Sequence, residues 1–379
     1  MTLAGTLREL TPPLLGTGRA VADLVSDPDR RRGFVQREAR RGLRRTLRGV
    51  RYVAERPPAV GLTPHEVVHR RGTLRLLHYK PLTDEVYRVP VVVVTSLVSK
   101  PYILDLTPGH SFVEHLVRQG YDVYMVDWGA PRSSDAHLRL EDYVLDFLPE
   151  TLDRVAALSG EPEVSLVGYC MGGLLATLYA AMHPQGRARN LGCFATPVDY
   201  DGMRLFKRWT DPRFVDVDTV VDVLGNVPPR LVRAGFNRLR PVSELAGRVR
   251  LVDRLWDDDF VEAHRLLQTW ANDHIPFPGE CFRQTTKELL QQNRLAKGTF
   301  ELDARPVDLR AIEIPFLHAM AEHDHIVPLE AARPLGSLVG SEDCEDVVLK
   351  GGHVSLVAGA RAPVRLWPAL DQWLSTRSS

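Results

Sequence analysis

Four consecutive valines, Val91 to Val94, sit within one of seven short apolar runs, and these runs limit what the chain can fold into. A strand that is apolar at every position has no face to offer water, so it must lie in a sheet covered on both sides. The valines belong to Val89 to Thr95; the other runs are Leu74 to Tyr79, Tyr121 to Asp127, Val164 to Tyr169, Leu191 to Thr196, Ile314 to Met320 and Asp346 to Lys350. Helix-length segments separate several of them, at Ser111 to Gln119, Leu140 to Leu158 and Gly172 to Met182. This alternation predicts an α/β fold with a mostly parallel central sheet and helices on both faces.

Between Pro197 and Ala311 the alternation stops, and the segment reads as irregular and helical, punctuated by Pro228, Pro229, Pro276 and Pro278. The expected organisation is an arginine-rich helical segment at 1–58, a first part of the core at 59–196, an inserted cap at 197–311 and a second part of the core at 312–379. With 44% hydrophobic and 25% charged residues over 379 positions, the chain can bury a proper core, which excludes collagen, coiled coil and wholesale disorder.

The 48 basic and 48 acidic residues cancel, so there is no chain-wide electrostatic grip on nucleic acid. Charge is concentrated in one place: residues 30–51 hold ten arginines and a single acid, Glu38, with Phe34, Leu43, Leu47 and Val50 interleaved. That segment predicts a cationic helix, either a dock for a partner subunit, an anionic surface or a polymer granule, or a solvated helix packed on the body. No apolar run approaches the about 18 residues of a membrane span, and the N-terminus lacks the charged and apolar regions of a signal peptide. Cys170, Cys193, Cys281 and Cys344 lack CxxC spacing, so neither a structural zinc nor a dense disulfide framework is expected, and a cytoplasmic location fits. No metal or other cofactor is expected, because no His/Cys cluster has ligand spacing and no glycine-rich phosphate loop follows a strand.

The most informative window is VSLVGYCMGGLLA, residues 164–176. An apolar strand runs into Gly168-Tyr169-Cys170-Met171-Gly172 and a small-residue helix start follows, the G-x-S-x-G nucleophile elbow with Cys in place of Ser. Such a turn leaves the nucleophile strained and exposed, and the helix N-terminus favours thiolate and an adjacent oxyanion, with the Met171 amide as first donor. Partners should follow in the order acid, then histidine. Asp324 stands just past one strand run and His353 just past another, so both would converge with Cys170 on one sheet edge. Here His353 would take the thiol proton and Asp324 would hold the imidazole in the useful tautomer. Glu322 is the second choice of acid and His325 the second choice of nearby histidine. For the second oxyanion donor the loop after the valine strand offers the Val98 amide.

From about Thr63 to the C-terminus the chain resembles the polyhydroxyalkanoate synthases, in LTPHEVVHRRGTLRLLHY, SKPYILDL, GYDVYMVDWG, GYCMGG, RNLGCFATPVDY, IPFPGECFRQ, NRLAKG, AEHDHIVP and GGHVSL. These are cysteine α/β-hydrolase-fold acyltransferases that polymerise (R)-3-hydroxyacyl-CoA with release of CoA. The resemblance implies a triad of Cys170, Asp324 and His353, a cap with a movable lid, and supporting places for Asp105 and Trp270. Its short length looks like the two-subunit class, which implies a non-catalytic partner subunit, a homo- or hetero-oligomer, and a growing polyester chain or granule surface as partner. Ser99 departs from the Asn that many relatives carry before the lysine of that loop. The same triad could instead serve a thioesterase or esterase with water as acceptor, and an idle granule-binding protein is the remaining alternative.

Overall fold

The computed structural model describes residues 58–379, apart from residue 240 and the side chains of 241–246, 248 and 259, together with isolated positions between residues 32 and 52. It divides into two compact units, one of Ala59–Leu239 with Thr269–Ser379, the other of Met1–Pro58 with Arg240–Gln268. Most of the arginine-rich stretch lies outside the described residues. Within the smaller unit, Arg41 stacks its guanidinium 4.7 Å over the Trp256 ring, and Tyr52 hydrogen-bonds His264 at 3.2 Å.

The larger unit is built on an eight-stranded sheet in the order β1-β2-β4-β3-β5-β6-β9-β10. Its strands are β1 (Glu66–Arg71), β2 (Leu74–Tyr79), β3 (Val91–Val94), β4 (Val123–Asp127), β5 (Val164–Tyr169), β6 (Ala188–Phe194), β9 (Phe316–Ala321) and β10 (Cys344–Leu349); a separate two-stranded hairpin is formed by β7 (Glu301–Leu302) and β8 (Arg305–Pro306). In the large sheet β1 and β2 are antiparallel to each other and β2 to β4, whereas every other pair of that sheet is parallel. All four valines of β3 and all six residues of β5 are buried, as their unbroken apolar character requires.

Between the parallel strands run α1 (Phe112–Arg118), α2 (Leu148–Ser159) and α3 (Met171–Met182). The Ser111 side chain caps α1 by accepting from the Glu114 amide at 2.9 Å, and α2 stops at Gly160 in the left-handed region, φ 81°. From β6 to β9 the chain adds no strand to the large sheet. It forms α4 (Arg204–Trp209), α5 (Val217–Leu224), α6 (Pro229–Leu239), α7 (Pro241–Arg254), α8 (Asp258–Asn272) and α9 (Gly279–Gln284), and the division between the two units cuts through this stretch.

One core residue makes the fold sensitive to acid. His318 of β9 is fully buried beside Cys193 on β6 and Asp346 on β10, and neither ring nitrogen has a hydrogen-bond partner among the described residues. Asp346 Oδ1 is 3.7 Å from Nδ1, too far for a hydrogen bond, and burial pushes the imidazole pKa down to about 3. The folded chain therefore keeps His318 neutral while the unfolded chain protonates it below about pH 6.5, so stability falls as pH drops from there toward 3. Between about pH 7 and pH 5 this group should remove roughly 2 kcal/mol. His318→Leu is expected to flatten that part of the denaturant-stability profile; an unchanged slope would assign the acid sensitivity to other groups.

Candidate active site

Strand β5 ends at Tyr169, α3 begins at Met171, and the single residue between them is Cys170. It adopts φ 56° and ψ −121°, a conformation that disfavours any side chain and that the surrounding close packing enforces. The flanking glycines explain why the turn can be this tight. A Cβ on Gly168 would sit 2.6 Å from the Gly173 nitrogen, and one on Gly172 would collide with the Val94 carbonyl of β3. With Cys170 at the cap position, the Met171 amide is among the helix N–H groups that have no intrahelical partner, and it stands next to the sulfur.

Two neighbouring strand ends deliver the partners. Asp324 follows β9, and its carboxylate is pinned from one side: Oδ1 accepts from the Ile326 and Val327 amides at 2.8 and 2.9 Å. Oδ2 accepts from His353 Nδ1 at 2.7 Å, with both side chains buried. His353 follows β10 as the first residue of the helix His353–Ala358. With Nδ1 occupied, Nε2 is the ring nitrogen left for chemistry in the cavity that His353 and Cys170 line together. The Tyr169 hydroxyl donates to the His353 carbonyl at 3.2 Å, fixing the main chain of that residue from below.

Burial alone would drive the His353 imidazole neutral. The Asp324 carboxylate, followed by the Cys170 sulfur, outweighs burial and holds its pKa well above the ordinary histidine value. A protonated imidazole beside the sulfur is the partner a thiolate needs. Among the described residues the other cysteines have no protonated imidazole beside them: the histidine next to Cys193 is His318, which burial keeps neutral. Burial pushes Cys193 up to about 12 and raises Cys281 further, and Cys344 is raised by burial and by Asp346 and Asp343.

Cys170 and His353 open into a cavity of about 140 Å³ whose wall includes Val98, Trp270, His274 and His325. The Val98 amide points to the Ser96 hydroxyl at a long 3.4 Å, so it is only weakly engaged. Trp270 lines the cavity and donates its Nε1–H to the Lys100 carbonyl at 3.1 Å, holding the loop that carries Val98. Asp105 is not brought to this cavity: it is buried and accepts from the Thr63 and Ser111 hydroxyls at 2.6 and 2.7 Å, which ties the segment before β1 to the start of α1. Glu322 is exposed and pairs loosely with His323 at 3.9 Å, whereas the carboxylate on His353 is that of Asp324. Sequence reasoning missed Tyr169, Phe236 and His274 as part of the site; the last two come from the stretch between β6 and β9, whose approach to Cys170 no periodicity announces. Among the described residues no group of three or more His, Cys, Asp or Glu side chains is placed to hold a metal ion, and no helix is long and apolar enough to cross a membrane.

A mostly parallel sheet with a cysteine at a strand-to-helix turn, an acid and a histidine at later strand ends has the arrangement of an α/β-hydrolase-fold protein, and residues 90–360 match that family model. Residues 57–116 match a second model, described as the N-terminus of poly-beta-hydroxybutyrate polymerase (PhaC). The chain belongs to the poly(3-hydroxyalkanoate) polymerase family of PhaC subunits. It is 35% identical over 322 residues to the poly(3-hydroxyalkanoate) polymerase subunit PhaC of Allochromatium vinosum, covering 84% of this chain and 90% of that one. The Haloferax mediterranei PhaC subunit is 40% identical over 322 residues, 84% of this chain, which spans only 65% of that relative's length. Among solved structures, a soluble variant of monoglyceride lipase from Saccharomyces cerevisiae aligns with a TM-score of 0.57 over 85% of this chain and 97% of its own, at 14% identity, a likeness of fold alone.

Proposed function

We propose that this chain polymerises (R)-3-hydroxyacyl-CoA into a polyester, with Cys170 as nucleophile, His353 as general base and acid, and Asp324 as the group that orients and charges the imidazole. The observation that carries the reading is the 2.7 Å Asp324–His353 bond in the wall of the cavity that Cys170 also lines. His353 Nε2 accepts the thiol proton, and the thiolate attacks the carbonyl carbon of the acyl-CoA thioester. The Met171 amide and the Val98 amide, turned from Ser96, hold the resulting oxyanion. Collapse expels CoA, which leaves with the proton from His353, and an acyl-Cys170 thioester remains.

In the second half of the cycle the 3-hydroxyl of another acyl group gives its proton to His353 and attacks the acyl-enzyme. The carbon–sulfur bond breaks, Cys170 recovers its proton and one ester bond has formed. Cysteine suits this division of labour, because exchanging one thioester for another costs little and the intermediate stays reactive toward an alcohol. Water must be excluded between the steps, a task for the helical segments that wall the cavity. Support comes from the relatives, whose names describe poly(3-hydroxyalkanoate) polymerase subunits, and a second, non-catalytic chain as partner belongs to the same proposal. A cytoplasmic location at the surface of a polyester granule belongs to the same reading.

The test is product analysis with (R)-3-hydroxybutyryl-CoA. Release of CoA together with insoluble polyester is expected. CoA release with only free hydroxy acid would mean that water is the acceptor and the chain is a thioesterase.

A further inference from the structure

The cavity contains a second histidine that the chemistry above does not use. His274 follows helix α8, lines the same cavity as Cys170 and His353, and stacks its ring on Phe236 at 5.3 Å between centroids with 12° between planes. Its Nδ1 lies 3.1 Å from the Val98 carbonyl oxygen. A carbonyl can only accept, so Nδ1 carries the proton and donates. In the neutral ring, which burial favours, Nε2 is then left as a lone-pair acceptor, and no described group bonds to it.

We infer that His274 reads the 3-hydroxyl of the substrate acyl group, accepting its proton in a hydrogen bond at Nε2 while the thioester carbonyl faces Cys170. The inference rests on the proposed function and adds a specificity-determining residue to it. Two features favour this over a purely structural role. The loop that carries Val98 is already held without the imidazole, by the backbone bridge from Ser99 to His274, by Trp270 on the Lys100 carbonyl and by the ion pair of Lys100 with Asp273 at 2.9 Å. And among the polar groups of the wall, the Tyr169 hydroxyl is engaged, donating to the His353 carbonyl, and the Ser96 hydroxyl lies 3.4 Å from the Val98 amide, whereas His274 Nε2 has no hydrogen-bond partner among the described residues. A fixed acceptor in such a lining favours a ligand that brings a hydroxyl and leaves an acceptor unpaired when the ligand lacks one.

The experiment compares first-turnover CoA release from (R)-3-hydroxybutyryl-CoA and from butyryl-CoA, which differs only in lacking the hydroxyl. The full-length wild type is expected to prefer the hydroxyacyl thioester by about tenfold or more in kcat/KM. His274→Phe should lose most of that preference, with the hydroxyacyl rate falling and the butyryl rate holding within about threefold. His274→Asn keeps a donor near the Nδ1 position and should behave like the Phe variant, whereas His274→Gln, which can place an acceptor near the Nε2 position, should recover much of the preference. Thermal unfolding of each variant shows that it is folded. An equal loss for both thioesters that His274→Asn restores would make His274 only a brace for the Val98 loop and overturn the inference, as would a wild type that does not discriminate. A wild type that releases CoA from neither thioester overturns the functional reading and this inference together.

Discussion

Asp324→Asn is expected to slow CoA release by about a thousandfold to ten-thousandfold while the chain stays folded. The carboxylate has two jobs in the structure, and the amide can perform only one. Its oxygen can still accept from the Ile326 and Val327 amides, which keeps the loop in place. The other position becomes an NH₂ group facing His353 Nδ1, where a donor now meets a donor unless the imidazole moves its proton to Nε2. That tautomer has no lone pair for the Cys170 proton. The substitution also removes the principal group that raises the His353 pKa, so the imidazole should titrate lower and the thiolate should lose its charged partner. Steady-state CoA release at several pH values, with a thermal unfolding midpoint close to wild type, checks both parts. A loss smaller than about tenfold would show that Asp324 does not orient the base.

Gly172→Ala is expected to destabilise the chain by about 3 kcal/mol or more, an effect opposite in sign to what helix propensity suggests. Alanine is the better helix former by about 1 kcal/mol, and Gly172 lies in the first turn of α3 with an ordinary helical conformation. The added Cβ would nevertheless collide with the Val94 carbonyl oxygen and lie 2.8 Å from the Thr95 carbonyl carbon. Both are backbone atoms at the end of β3, so relief requires moving α3 away from the sheet and carrying Cys170 with it. Gly235 in α6 is the control, since a Cβ there meets nothing within 4 Å. Gly235→Ala should be neutral or stabilising by up to about 1 kcal/mol. Denaturant unfolding of the two variants measures the contrast; equal effects would mean that α3 and β3 are less closely packed than the glycine geometry requires.

The parts of the fold that were legible are those in which local pattern and tertiary role coincide. Unbroken apolar runs mark β3 and β5 because both faces of those strands are covered. The strand Glu66–Arg71 escaped notice because EVVHRR is charged and only partly buried, as befits a sheet edge, and carries no continuous apolar signal. Strand β10 begins at Cys344, two residues before the sequence pattern suggested, since its first residues are exposed and polar. At the site, placement past strand ends was enough to bring Cys170, Asp324 and His353 toward one edge, because parallel strands of one sheet end on the same side. Nothing local marked His274 or Phe236. Their approach to Cys170 depends on how a long helical segment returns to the sheet, which is a property of distant packing and leaves no periodicity in the residues themselves.

The central claim is that Cys170 is the nucleophile that carries the acyl group, and butyryl-CoA tests it most directly because an acyl group without a hydroxyl cannot extend a chain. Brief incubation followed by proteolysis and mass mapping of the four cysteine-containing peptides is expected to find one butyryl group on Cys170 and none on Cys193, Cys281 or Cys344. CoA release with the butyryl group on another cysteine, or a Cys170→Ala variant that is still acylated at the wild-type rate, would contradict the account.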